Sequence, residues 1–278
     1  MRTVDTVLDF LRSEMERGVT HIHLDEKARE GLRDLFRRTR AGKMPAAKPV
    51  ETAAHAPVPV VSEKVEASGD SKAARLESIR KQAERSAVAR ALGTLRETMV
   101  FAVGNPDARV MLIGEAPGYH EEREVEPFVG PAGQKLNDIL KAMGIQRSDV
   151  YISNIVKFRP SMPKQTTNNR KPTPEEMAAC LPFVKAEIGI VKPECIIALG
   201  GTAAEGLLGL SGTVTAMRGK WHDLDGVPVR VTYHPSYLLQ SGATSNAKRL
   251  LWEDMLAVME KLGMPISEKQ RGFFLPKA

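Results

Sequence analysis

Three residues offer complementary chemistry, and each stands where an apolar run gives way to a turn. Glu115 lies in Gly114-Glu115-Ala116-Pro117-Gly118, Asn154 closes the run DVYISN, and His234 opens His234-Pro235-Ser236. A carboxylate can orient a water or stabilise developing positive charge. An amide presents a donor and an acceptor side by side. An imidazole can donate to an oxygen that is gaining negative charge, and its tautomer decides which nitrogen does so. Singly, each has a plainer reading: Glu115 as a cap, Asn154 as a turn-former, His234 as a satisfied loop histidine. Phe128, in Pro127-Phe128-Val129-Gly130, likewise reads first as core. Their shared position at strand ends is what joins them into one candidate site.

The elements that must position them alternate along the chain. ARVMLIGE, DVYISNIVK, ECIIALG and GVPVRVTYHP are apolar runs of strand length. Between them, GQKLNDILKAMG is an amphipathic helix stopped by Gly144. TPEEMAACLPFVKAEIGIVK is a second helix, with Thr173 as N-cap, Pro174 at the first helical position and Glu176 three residues past the cap. A helix through GTAAEGLLG follows the third strand, and SNAKRLLWEDMLAVMEKLG closes the series. Strand-helix alternation predicts a three-layer α/β/α domain around a mainly parallel four-stranded sheet. In such sheets ligands bind beyond the carboxyl ends of the strands. The third strand ends in Gly200-Gly201 and contributes no reactive side chain to this reading.

Upstream, residues 1–42 show helical spacing and read as a small N-terminal helical module. Residues 43–71, rich in Ala, Pro, Glu and Lys, read as a flexible linker, and 72–278 as the main domain. The 278 residues carry 40 basic and 34 acidic side chains, a formal net charge of +6 that fits a nucleic-acid partner without requiring one. Two cysteines, Cys180 and Cys195, are too few for a disulfide framework and suggest a reducing compartment. Without a long apolar stretch at the start or a membrane-length apolar run, the expectation is a cytoplasmic protein. Residues 157–171 hold Lys157, Arg159, Lys164, Arg170 and Lys171 and no acid, a solvated basic turn or a phosphate contact. Gly130 and Gly133 bracket a helix start, where free N–H groups favour an anion.

GEAPGYHEEREVEPFVGPAGQKLNDIL, NIVKFRP, NRKPTPEE and YHPSYLL, in this order over roughly residues 87–262, resemble the motifs of family-four uracil-DNA glycosylases. The resemblance implies the uracil-DNA glycosylase fold and hydrolysis of the bond between uracil and deoxyribose in DNA, the first step of base excision repair. It implies Glu115 as the catalytic acidic group, His234 as the second catalytic residue, and Ala116 and Gly118 as pocket wall. Glu121 falls where the family guards the C5 edge of uracil against the methyl of thymine. Phe128 matches the aromatic that stacks on the extruded base, and Asn154 the amide that reads its edge. Pro235, Ser236 and Tyr237 match the loop that enters the minor groove.

The resemblance also marks departures. The family usually carries a four-cysteine iron–sulfur cluster; here Cys180 stands at one ligand position, Phe158 at another, and Ala87 and Arg90 at the first two. One thiolate cannot hold a cluster that needs about four ligands, so the expectation is no cofactor, with Phe158 and its neighbours packed in the cluster's place. The stretch SMPKQTTN is longer than typical and reads as a flap or an added DNA contact. The N-terminal 85 residues lie outside the resemblance and leave open a protein partner. Three alternatives remain at this level: a glycosylase for another deaminated or damaged base, a non-catalytic binder of uracil or DNA, and a covalent-trapping relative. Against the last, EEREVE is acidic where such relatives carry a basic loop.

Overall fold

The computed structural model describes residues 63–239 and 245–275. The expected N-terminal module and most of the linker therefore lie outside the described residues. In chain order the domain begins with α1 (Lys72–Glu84) and α2 (Ala87–Ala91), followed by β1 (Leu95–Met99), β2 (Ala102–Gly104) and β3 (Val110–Gly114). Next come α3 (Tyr119–Glu124), α4 (Pro131–Met143), β4 (Tyr151–Asn154), β5 (Phe158–Pro160) and α5 (Pro174–Val191). It ends with β6 (Cys195–Leu199), α6 (Gly201–Leu208), α7 (Val214–Met217), β7 (Trp221–Leu224), β8 (Val227–Thr232), α8 (Ser245–Lys261) and α9 (Glu268–Arg271).

The four strands expected from the sequence are β3, β4, β6 and β8, and they pair in parallel in the order β4-β3-β6-β8. The expected strand count needs correction. β2 adds antiparallel to β4 and β7 antiparallel to β8, giving a six-stranded mixed sheet, while β1 and β5 form a separate antiparallel pair. β2 is a three-residue edge strand, too short to show a period. β7 and β8 are joined through Asp225 and Gly226, both at positive φ (52° and 88°), which is the two-residue Asp-Gly hairpin.

Every residue of β3 and β6 is buried, as expected for strands covered on both faces. Met111, Ile113, Ile196 and Ala198 enter the core formed with α1, α2, α5 and α6; Val110, Leu112, Ile197 and Leu199 enter the core formed with α4 and α8. The period-two alternation thus feeds both helix layers. Each fully buried aliphatic side chain stabilises by about 1.5–3 kcal/mol, so the strand tips sit on a rigid base. The Thr173 cap holds as a reciprocal pair: Thr173 Oγ1 accepts from Glu176 N–H (3.3 Å), and the Glu176 carboxylate accepts from Thr173 N–H (2.8 Å). Residues 63–71, although linker-like in composition, are seated on the domain. Val65 and Ala67 pack on the α1-side core, and Gln82 bonds the backbone of Glu66.

Candidate active site

The ends of β3, β4, β6 and β8 open into one cavity of about 330 Å³, lined among others by Glu115, Asn154, Gly200 and His234. Adjacent parallel strands bring these tips level: Gly114 is the register partner of Asn154, and Leu199 of Thr232. The backbone then links the first two tips, with Ile155 N–H donating to Gly114 C=O and Val156 N–H to Glu115 C=O, both at 3.0 Å. Gly114 is required by proximity, because a Cβ there would collide with Asn154 Oδ1 and the ring of Phe128. Ala116, Gly118, Glu121, Phe128 and Ser236 also line the cavity.

Each polar group has a defined state. Burial pushes the Glu115 carboxyl above its usual range, opposed by the hydroxyl of Thr202, which donates to Oε2 at 2.5 Å, and by the charge of Lys171. Burial pushes the His234 imidazole down to about 4, against a weaker upward pull from Glu121, so it is neutral at pH 7. Its Nδ1 lies 3.2 Å from the Ser236 N–H and 2.8 Å from Ser236 Oγ. A backbone N–H can only donate, so Nδ1 accepts and the proton belongs on Nε2. Asn154 is 2% exposed, and its amide has no hydrogen-bond partner among the described residues. Its amide therefore keeps its hydrogen-bonding capacity free on the cavity wall.

Phe128 is buried at φ 56°, and its ring lies 5.6 Å from that of His234. Val125, earlier in the same connection, has φ 55° and is 57% exposed. Left-handed backbone at non-glycine residues is costly and clusters at functional sites. Glu121 secures this connection: its carboxylate accepts from the N–H groups of Gly118 (3.1 Å), Val129 (3.2 Å) and Gly130 (3.0 Å).

Several residues expected to meet phosphate are placed otherwise. The N–H of Gly130 is taken by Glu121, and Gly133 packs against the carbonyl of Phe128. Lys157 is fully buried, paired with Glu187 at 2.7 Å and bonded to Ser153 Oγ at 2.6 Å. Arg159 is 2% exposed and holds Glu122, Asn169 Oδ1 and the carbonyls of Thr166 and Asn168. Arg170 reaches the cavity wall, but its guanidinium is engaged by Glu176 and the carbonyls of Ser161, Thr94 and Lys171. Lys171 pairs with Glu205. The basic stretch lacks acids of its own and takes them from α3, α5 and α6, so SMPKQTTN is pinned to the domain by Arg159. Of the loop after β8, Pro235 is buried, while Ser236 and Tyr237 are exposed, with Tyr237 stacked on Tyr233 at 4.9 Å.

Two residues of the site escaped the sequence reading. Asn169 lines the cavity, its amide turned by the bond from Arg159 Nε to Oδ1. It stood inside the quoted NRKPTPEE motif. Thr202 follows the Gly200-Gly201 pair and touches Glu115; its signal was its place just beyond the one strand tip with no reactive side chain.

The residues present do not fit an iron–sulfur cluster. Cys180 packs in the α1-side core and Cys195 in the α4-side core, on opposite faces of the sheet. Burial pushes the two thiols up to about 11 and about 12, the reverse of what a thiolate ligand needs. Phe158 is 2% exposed, and the Arg90 guanidinium lies 6.0 Å from its ring centroid. Among the described residues no group of three His, Cys, Asp or Glu is arranged to hold a metal.

Comparison with known proteins agrees with this architecture. The family model of the uracil DNA glycosylase superfamily matches residues 101–256. The type-4 uracil-DNA glycosylase of Thermotoga maritima is 44% identical over 162 residues, covering 58% of this chain and 81% of the relative. That of Pyrobaculum aerophilum is 42% identical over 156 residues, 53% and 76% of the two chains. A type-5 uracil-DNA glycosylase of the same organism is 33% identical over 175 residues, 57% and 72%. With four strand tips converging on one cavity and more than half of its length matched, the chain belongs to the uracil DNA glycosylase superfamily and stands beside its type-4 members.

Proposed function

We propose that this protein hydrolyses the N-glycosidic bond of uracil in DNA and so initiates base excision repair. The observation that carries the reading is the single cavity in which an open amide, a neutral imidazole with its proton on Nε2 and a half-buried carboxylate face the same space. A base inside a duplex cannot reach it, so the nucleotide must first be extruded, at a cost of a few kcal/mol. Stacking on Phe128 offsets part of that cost, and the exposed Ser236–Tyr237 segment at the mouth is suited to fill the space left behind.

Within the cavity the amide of Asn154 accepts from uracil N3–H and donates to O4, a pattern that the amino group of cytosine cannot satisfy. Glu121, fixed by its three backbone donors, walls the C5 edge where a thymine methyl would intrude. As the C1′–N1 bond breaks, its electron pair moves onto the base and negative charge gathers on O2. Donation from His234 Nε2–H to that oxygen lowers the barrier; one such donor contributes about 3–4 kcal/mol. Glu115 stabilises the oxocarbenium-like sugar and holds the water whose oxygen bonds to C1′. The water's proton is released, the departing base takes one up, and an abasic sugar and free uracil result.

The test is uracil release from single- and double-stranded oligonucleotides by the purified chain, beside matched substrates carrying hypoxanthine or xanthine. Release of uracil, lost on E115A and on H234A, is the expected result. Preferential release of another base transfers the same machinery to that base. Tight binding of uracil-containing DNA without release makes the chain a binder and ends the catalytic reading.

A further inference from the structure

The turn between β6 and α6 looks inert in sequence, yet it touches both halves of the proposed machinery. Gly200, at φ 97°, sits so close to His234 that a Cβ would lie 3.1 Å from the histidine Cβ. On the first turn of α6, Thr202 is 7% exposed, and its hydroxyl donates to Glu115 Oε2 at 2.5 Å. Among the described residues Glu115 Oε1 has no partner, and Glu115 faces the cavity.

We infer that Thr202 is a positioning residue that holds one oxygen of Glu115 and thereby presents the other to the attacking water. This rests on the reading of Glu115 as the catalytic carboxylate. A threonine hydroxyl donates only one proton, and here it is committed to Oε2, so rotation of the carboxylate away from the sugar breaks a charge-assisted bond. The same bond favours the ionised form that the reaction uses. The other charged groups around Glu115 do not replace it. Lys171 and Glu205 pair with each other at 2.6 Å, and their effects on Glu115 oppose. Arg170 is engaged with Glu176, Glu121 with backbone N–H groups, and His234 is neutral above about pH 4.

The experiment is a pH profile of kcat/KM for uracil release from a single-stranded uracil-containing oligonucleotide. It compares wild type, T202V, T202S, E115A and the E115A/T202V double variant. In T202V the acid limb moves to higher pH, so that kcat/KM on that limb falls about tenfold, the scale of one hydrogen bond to a charged group. T202S restores the limb, and T202V adds nothing in the E115A background. A T202V limb that coincides with wild type, or an equal loss in both backgrounds, overturns the inference. Thr202→Ala supplies the same comparison if thermal melting shows that valine disturbs α6. Full activity in E115A removes the reading of Glu115 itself; an inactive E115A with an unshifted T202V removes the role of Thr202 alone.

Discussion

The cavity and a buried polar cluster both draw on the end of β4, through Asn154 and Ser153, yet they use their hydrogen bonds in opposite ways. Lys157, Ser153 and Glu187 are closed on one another with no exposure, and every charge has its partner. Asn154, at the end of the same strand, is 2% exposed, and its side-chain amide has no partner among the described residues. In the sequence Lys157 belongs to a basic stretch that reads as a solvated turn or a phosphate contact, whereas the proposed function places the chemistry in the second group. A saturated network fixes structure, and unfilled bonding capacity at a cavity wall marks where something is meant to bind.

That contrast can be broken at either side. The largest expected effect is on stability: E187A or K157A leaves an uncompensated buried charge and costs about 3–5 kcal/mol. Urea denaturation measures it, and the K157M/E187M pair recovers most of the loss. A cost near zero for the single variants would show that the pair is not closed. On the other side, the proposed function makes His234 an oxyanion donor, so H234A should lower kcat by about 10²–10³, measured in single turnovers.

A pH experiment sharpens the comparison further. The folded His234 titrates near 4 and the unfolded residue near its ordinary value, so between them the unfolded chain binds more protons. Stability contributed by neutral His234 is therefore present above that window and lost as pH falls through it. H234Q should flatten the slope of the urea midpoint between about pH 6.5 and pH 4; an unchanged slope would mean that the imidazole is solvated. The smallest effect is at Val125, exposed and left-handed, where V125G should raise stability by about 1 kcal/mol. A loss instead would show that the strain is balanced by contacts that valine makes.

The parts legible in the sequence were those with a local cause. The four parallel strands followed from their apolar runs, the α5 start from Thr173, Pro174 and Glu176, and the α4 stop from Gly144, which adopts φ 79°. The Asp225-Gly226 hairpin was equally local, and its signal was present but unused. Partners distant in sequence were not legible: nothing near Arg159 announces Glu122, and nothing near Lys157 announces Glu187. The basic stretch therefore read as surface. Thr202 was hidden for the same reason, since its contact spans two strands of the sheet.

The two sealed thiols have a practical corollary. Cys180 and Cys195 are each without exposed surface and protonated well beyond neutral pH. Alkylating probes find no native target in the folded chain, whose sequence holds only these two cysteines. A single cysteine engineered at Tyr237 would accept a maleimide fluorophore cleanly. On the proposed function, its emission would then report, in real time, the arrival of a nucleic acid at the mouth of the pocket.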